Sequence, residues 1–96
     1  MKTGNFSTLK DILDDMIQEM RIGSKLNEIK VKKIWYEQMQ GIIAKHTKRI
    51  VLSNRKLYVQ IDSAVIKQEL FMAREKICQI INDKMGEKII EEVIIN

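Results

Sequence analysis

Apolar residues change their spacing several times along the chain, and each change marks the edge of an element. Leu9, Ile12, Leu13, Met16, Ile17 and Met20 recur in steps of three and one, which gathers them into one stripe of an amphipathic helix. Ser7 or Thr8 can cap its start, and Gly23 stands where a stop is expected. A second helix is expected from Asn27, with Leu26 and Val31 at the two positions of a hydrophobic staple and Glu28 near the positive end of the dipole. Its buried stripe reads Val31, Ile34, Trp35, Met39 and Ile42, and Gly41 predicts a kink before Lys45 and His46.

The period then shortens to two. Runs at about 49–53 and 56–61 flank Asn54 and Arg55, which predicts a hairpin. Asn tolerates the positive φ of a two-residue turn, whereas Arg55 fits that place poorly. Leu57, Val59 and Ile61 alternate with Tyr58 and Gln60, so one side of this strand is buried while Lys56, Tyr58 and Gln60 point the other way. Asp62 and Ser63 mark the switch back to helical spacing, with Val65 or Ile66, Leu70, Ile77, Ile80 and Ile81 toward the core and Gly86 as the stop. A helix from 64 to 85 exceeds the usual length, so a break is expected near 71–74. The β-branched run from Lys88 to Ile95 predicts a third strand. The expected fold is α+β, with helices packed on one face of a small three-stranded sheet. A winged helix is the alternative, but it needs three helices before the hairpin and the pattern supplies two.

Ninety-six residues suffice for a single domain spanning 1–96. No apolar run approaches the roughly 20 residues that cross a bilayer. The acidic, amphipathic first twenty residues do not read as a secretory signal, so a cytoplasmic location is expected and no membrane partner. Cys78 is the only cysteine and His46 the only histidine, which leaves no internal disulfide and no metal set. Cys78 is expected to be a buried, inert thiol, and His46 to sit at a helix C-terminus. The chain has no phosphate-loop, dinucleotide, zinc-protease or nucleophile-elbow motif. The neighbours Asp14 and Asp15, like Glu91 and Glu92, diverge rather than converge. No enzyme, cofactor or small-molecule substrate is expected.

Charge changes this picture. The net value of +4 conceals a cationic middle: residues 21–56 carry ten basic side chains against two acidic ones, while both flanks are acidic on balance. Lys30, Lys33, Lys45, Lys48, Arg49, Arg55 and Lys56 are the expected phosphate contacts, and Tyr58 is the candidate for stacking on a base. Trp35 lies in the apolar stripe and is expected in the core. Other readings of the same cations are a solvated face, a surface for an acidic protein partner, or an RNA-binding surface.

With these residues placed, the stretch from Trp35 to Ile95 resembles the DciA-like family of bacterial proteins, whose members serve as loaders of the replicative DNA helicase. Trp35, Gly41 and Ala44-Lys45-His46-Thr47 are similar to the family's tryptophan, glycine and "A-x-H-T" run. Leu57-Tyr58-Val59-Gln60-Ile61, Ser63 and Gln68-Glu69-Leu70 match its "L-x-V-x-V" strand, serine and "Q-E-L" helix, and Asn82 and Gly86 its late asparagine and glycine. Ile66 departs from the tryptophan that many members carry before "Q-E-L", and many members continue past the domain in a flexible tail where this sequence ends at Asn96. The resemblance implies a KH-like core of the second type over 24–96, preceded by an amphipathic helix within 1–22. It also implies binding to DNA, single-stranded or forked, and to the replicative helicase. The GxxG loop with which KH domains grip a backbone is missing, so the basic hairpin and helix would hold phosphate instead.

Overall fold

Helix α1 runs unbroken from Leu9 to Gln38, 30 residues, in the computed structural model, which describes residues 9–39 and 41–96 and the side chains of 23–39 and 41–96. The expected stop at Gly23 and restart at Asn27 are therefore corrected to one helix. A glycine inside a helix costs about 1 kcal/mol, whereas ending one helix and starting another leaves up to eight backbone groups without partners. Gly23 meets nothing within 4 Å of where a Cβ would stand. Lys25 and Lys32 flank Glu28 at i,i+3 and i,i+4, both at 3.7 Å, and support the turn that follows. The expected cap at Ser7 or Thr8 lies outside the described residues.

The kink expected at Gly41 is a full break. Gly41 has φ 73°, a left-handed conformation that a side chain would strain. A short α2, Ile42–Lys45, follows it. The reversal turns the apolar stripe, so Ile42, expected in the core, is 64% exposed and Ile43 packs in its place.

Strands β1 (Thr47–Ser53) and β2 (Lys56–Ile61) pair antiparallel, with Ser53 opposite Lys56 and a bulge between Thr47 and Arg49. The two turn residues both have positive φ, Asn54 at 51° and Arg55 at 61°, as a type I′ hairpin requires. Arg55 holds this conformation because its side chain is tied down on both sides. Its Nη2 donates to the Lys88 carbonyl at 2.9 Å and its Nε lies 3.1 Å from Glu91 Oε1, while its own carbonyl accepts from Glu91 N at 2.7 Å.

Ser63 caps α3 (Ala64–Met72), its hydroxyl accepting from Ile66 N at 3.4 Å. The break expected at 71–74 falls at Ala73, and α4 (Arg74–Met85) ends on Gly86 at φ 81°. Of the alternatives Val65 and Ile66, Ile66 is buried and Val65 exposed. The third strand is shorter than expected: β3 spans Glu92–Ile95 rather than 88–95. The Asn82 side chain explains the difference. It accepts from Ile89 N at 2.9 Å and Ile90 N at 3.0 Å and donates to the Ile90 carbonyl at 2.9 Å. With both N–H groups taken by a side chain, this stretch has no donor left for the sheet ladder.

β3 pairs parallel to β2, giving the order β1-β2-β3. All packed helices lie on one side. Val31 and Trp35 of α1 meet Ile50, Leu57, Val59, Ile61 and Val93 of the sheet and Ile66, Leu70, Ile77, Ile81 and Ile90 of the second half. Trp35, fully buried, donates Nε1–H to Thr47 Oγ1 at 3.1 Å, and that hydroxyl donates to the Ile43 carbonyl at 2.8 Å. The architecture is α+β and compatible with a small KH-like domain.

Candidate nucleic-acid interface

Pairing in the hairpin decides which cations can act together. Alternation along β1 and β2 sends Ile50, Leu52, Leu57, Val59 and Ile61 toward the helices and the intervening residues to the opposite face. That opposite face carries three cross-strand rows. Ser53, Lys56 and Glu92 form one, Val51, Tyr58 and Ile94 the next, and Arg49 with Gln60 the third, where Asn96 continues β3. Arg49, Val51, Tyr58, Gln60 and Asn96 line a shallow depression of about 400 Å³ on it.

A second concavity, about 500 Å³, runs between α1 and β1 and is lined by Lys25, Glu28, Lys32, Tyr36, Lys48, Arg49, Ile50 and Val51. β1 is an outer strand, and the Leu52 N–H at this edge donates to Glu28 Oε2 at 3.0 Å. That bond, helped by Lys32 and Lys25 and opposed by burial, holds the Glu28 carboxyl below its usual range. Lys25 and Lys32 pair with this carboxylate from α1, while Lys48 and Arg49 line the same groove from β1. At the end of the groove, Asp62 lies 2.6 Å from His46 Nδ1 and 3.1 Å from Lys48 Nζ. The His46 contact, then the Lys48 contact, lower the Asp62 carboxyl.

Among the expected site residues, the fold brings Lys48, Arg49 and Tyr58 to neighbouring positions around the β1 edge. Lys45, exposed, ends α2 two residues before β1 begins. Lys30 and Lys33 are exposed on α1 but, at 3.6 residues per turn, point away from the Lys25–Lys32–Tyr36 stripe that faces the groove. Arg55 and Lys56 sit at the other end of the hairpin, Arg55 bound to Glu91 and Lys56 half-buried beside Glu92. Lys25, Lys32 and Tyr36 were outside the expected set. Their spacing of seven and four is the signal that would have found them, once the helix is taken as continuous through Gly23.

Other chemistry is sparse. Among the described residues no three His, Cys, Asp or Glu side chains are grouped to hold a metal ion, and no helix is long and apolar enough to cross a membrane. Cys78 donates to the Ile90 carbonyl at 3.6 Å, and burial pushes its thiol up.

Comparison with known proteins adds two findings. The family model described as "Dna[CI] antecedent, DciA" matches residues 8–95. A protein of Corynebacterium glutamicum (strain R), named UPF0232 protein, is 31% identical over 86 residues, which is 90% of this chain and 48% of that protein. The chain thus spans about half the length of that relative. No solved structure matches it significantly.

Proposed function

The chain belongs to the DciA family, and from that premise we propose that it is a non-catalytic adaptor that holds DNA and serves the loading of the replicative helicase. The observation that carries the DNA part is the convergence of Lys25, Lys32, Lys48 and Arg49 on one groove beside an outer strand. Phosphates replacing the counterions of such a groove are bound with a steep salt dependence, about 0.9 log units of affinity per log unit of salt for each contact with duplex DNA. In this reading the groove is the main track, and Lys30, Lys33, Lys45, Arg55 and Lys56 add to the field around it. The helicase docks elsewhere, on the N-terminal half of α1 with its sequence stripe from Leu9 to Met20.

Fluorescence anisotropy with labelled oligonucleotides tests the proposal. Binding should weaken sharply between low and physiological salt, and reversing Lys25, Lys32, Lys48 and Arg49 to Glu should abolish it while the folded circular-dichroism spectrum stays. Salt-insensitive binding, or binding that survives the fourfold reversal, counts against the reading. Matched RNA competitors decide which nucleic acid is preferred. A pull-down with the replicative helicase after nuclease treatment shows whether the two proteins touch directly; loss of the helicase on nuclease treatment would mean that DNA alone bridged them.

A further inference from the structure

A second apolar stripe runs along α1, on the side away from the core. Leu26, Ile29 and Tyr36 are 51%, 54% and 44% exposed, and the exposed Lys33 stands between the last two. Steps of three, four and three set these four side chains in one line on the helix surface, opposite Val31 and Trp35. Single exposed aliphatic residues are ordinary, whereas a line of them on one face marks a place of contact. With α1 continuous through Gly23, there is no helix start at Asn27 for Leu26 to staple. The charges beside the stripe are unevenly matched. Lys25 and Lys32 share Glu28, each at 3.7 Å, and that carboxylate also accepts from Leu52 N. Lys30 and Lys33, both exposed, enter no ion pair among the described residues. Over 25–37 four lysines stand against Glu28 and Glu37, both already engaged, which leaves a charge of +2 with every ion pair counted.

We propose that this face of α1 packs against an amphipathic α-helix of another protein, whose apolar seam lies on Leu26, Ile29 and Tyr36 and whose flanking carboxylates reach Lys30 and Lys33. Spacing, charge and symmetry choose that occupant. Apolar residues alternating by three and four are the repeat at which one helix seats its side chains in another, whereas an added strand would call for a repeat of two. A lysine within such a seam lays its methylenes along apolar neighbours and leaves its ammonium to be met by an anion. A second copy of the chain is the poorer fit, because pairing this face with itself about a two-fold axis sets the lysines of one α1 against those of the other. The face borders the α1–β1 groove and is distinct from it: of Leu26, Ile29, Lys30, Lys33 and Tyr36, only Tyr36 lines that groove. The contact therefore needs neither DNA nor the groove cations Lys48 and Arg49, and it lies C-terminal to the stripe from Leu9 to Met20.

The test uses the full chain and two labelled synthetic helical peptides of about four heptads, with leucine at the a and d positions and the flanking e and g positions all glutamate in one and all lysine in the other. In fluorescence anisotropy the glutamate peptide should bind and the lysine peptide should not. Leu26→Gln with Ile29→Gln should weaken the glutamate peptide about tenfold or more while the circular-dichroism spectrum stays folded. Lys30→Glu with Lys33→Glu should reverse the preference, so that the lysine peptide binds the better of the two. Lys48→Glu with Arg49→Glu, which disables the DNA groove, should leave peptide binding as it was. No binding of the glutamate peptide, equal binding of both peptides, or a preference that does not reverse overturns the proposal. Loss of the glutamate peptide in Lys48→Glu with Arg49→Glu also overturns it, by placing the peptide in the groove as a mere polyanion, and leaves the DNA reading standing. Sedimentation of the chain alone showing a dimer that Leu26→Gln with Ile29→Gln dissociates would give the face to a second copy instead.

Discussion

At the scale of single residues, the side chains that carry the family resemblance hold the fold together. Trp35 and Thr47 share a buried hydrogen bond, His46 contacts Asp62, Ser63 caps α3, and Asn82 binds the backbone ahead of β3 through three bonds. Replacing Thr47 with Val leaves the Trp35 N–H buried without an acceptor and should cost about 1–3 kcal/mol in urea unfolding. Asn82→Ala frees two N–H groups and a carbonyl together, and a loss of about 3 kcal/mol is expected. Two carboxyls give the molecule an acid limit. Glu28 and Asp62 ionise more readily folded than unfolded. The stability they contribute is therefore complete well above their ordinary values of 4.5 and 3.8 and drains away as pH falls through the lowered folded values. Thermal melts taken from neutral pH downward should show the midpoint falling more gently in Glu28→Gln and Asp62→Asn than in the parent chain.

At the scale of elements, three glycines of identical composition predict opposite outcomes. Gly23 sits within α1 with open space where a Cβ would go, so Gly23→Ala should stabilise the chain by about 0.5–1 kcal/mol. Gly86 ends α4 in the αL conformation at φ 81°, where alanine should cost about 1–2 kcal/mol, and Gly41 precedes α2 at φ 73° and ψ −131°, where alanine should cost about 1–3 kcal/mol. Denaturant midpoints of the three variants measure both signs. These positions also show how far the sequence could be read. Periodicity located the helical stretches and the hairpin, because these follow from where apolar side chains must point, while the length of the run from 64 to 85 called for the break that falls at Ala73. It misplaced the boundaries at Gly23 and Lys88. A glycine signals a stop by tendency only, and whether it ends a helix depends on the energetics of its neighbours. The late start of β3 depends on Asn82, which is distant in sequence from the backbone it binds and whose partners no local pattern announces. Arg55 in a left-handed turn is of the same kind, since contacts with Lys88 and Glu91 hold it there.

At the scale of the whole molecule, the cationic middle of the chain divides between two sides of α1. Alternation in β2 was enough to place Lys56, Tyr58 and Gln60 on the outer face of the sheet. The groove was harder to see. With a helix start assumed at Asn27, Lys25 belonged to a connection and had no fixed direction; in a continuous helix it shares a stripe with Lys32 and Tyr36 and faces β1. This division makes a prediction that composition alone cannot. Lys25→Glu with Lys32→Glu should lower the salt slope of DNA binding by about two contacts. The same double reversal at Lys30 and Lys33 leaves the net charge equal and should change the slope much less.

The unbroken α1 has a mechanical consequence. Thirty helical residues at about 1.5 Å each extend roughly 45 Å, twice the reach of a seven-residue strand, in a molecule whose longest dimension is 56 Å. A rod of that length, held in the core at one end by Trp35 and Val31, sets its far turns at a distance from the β1 edge, so that anything gripping those turns stands clear of anything lying along the strand.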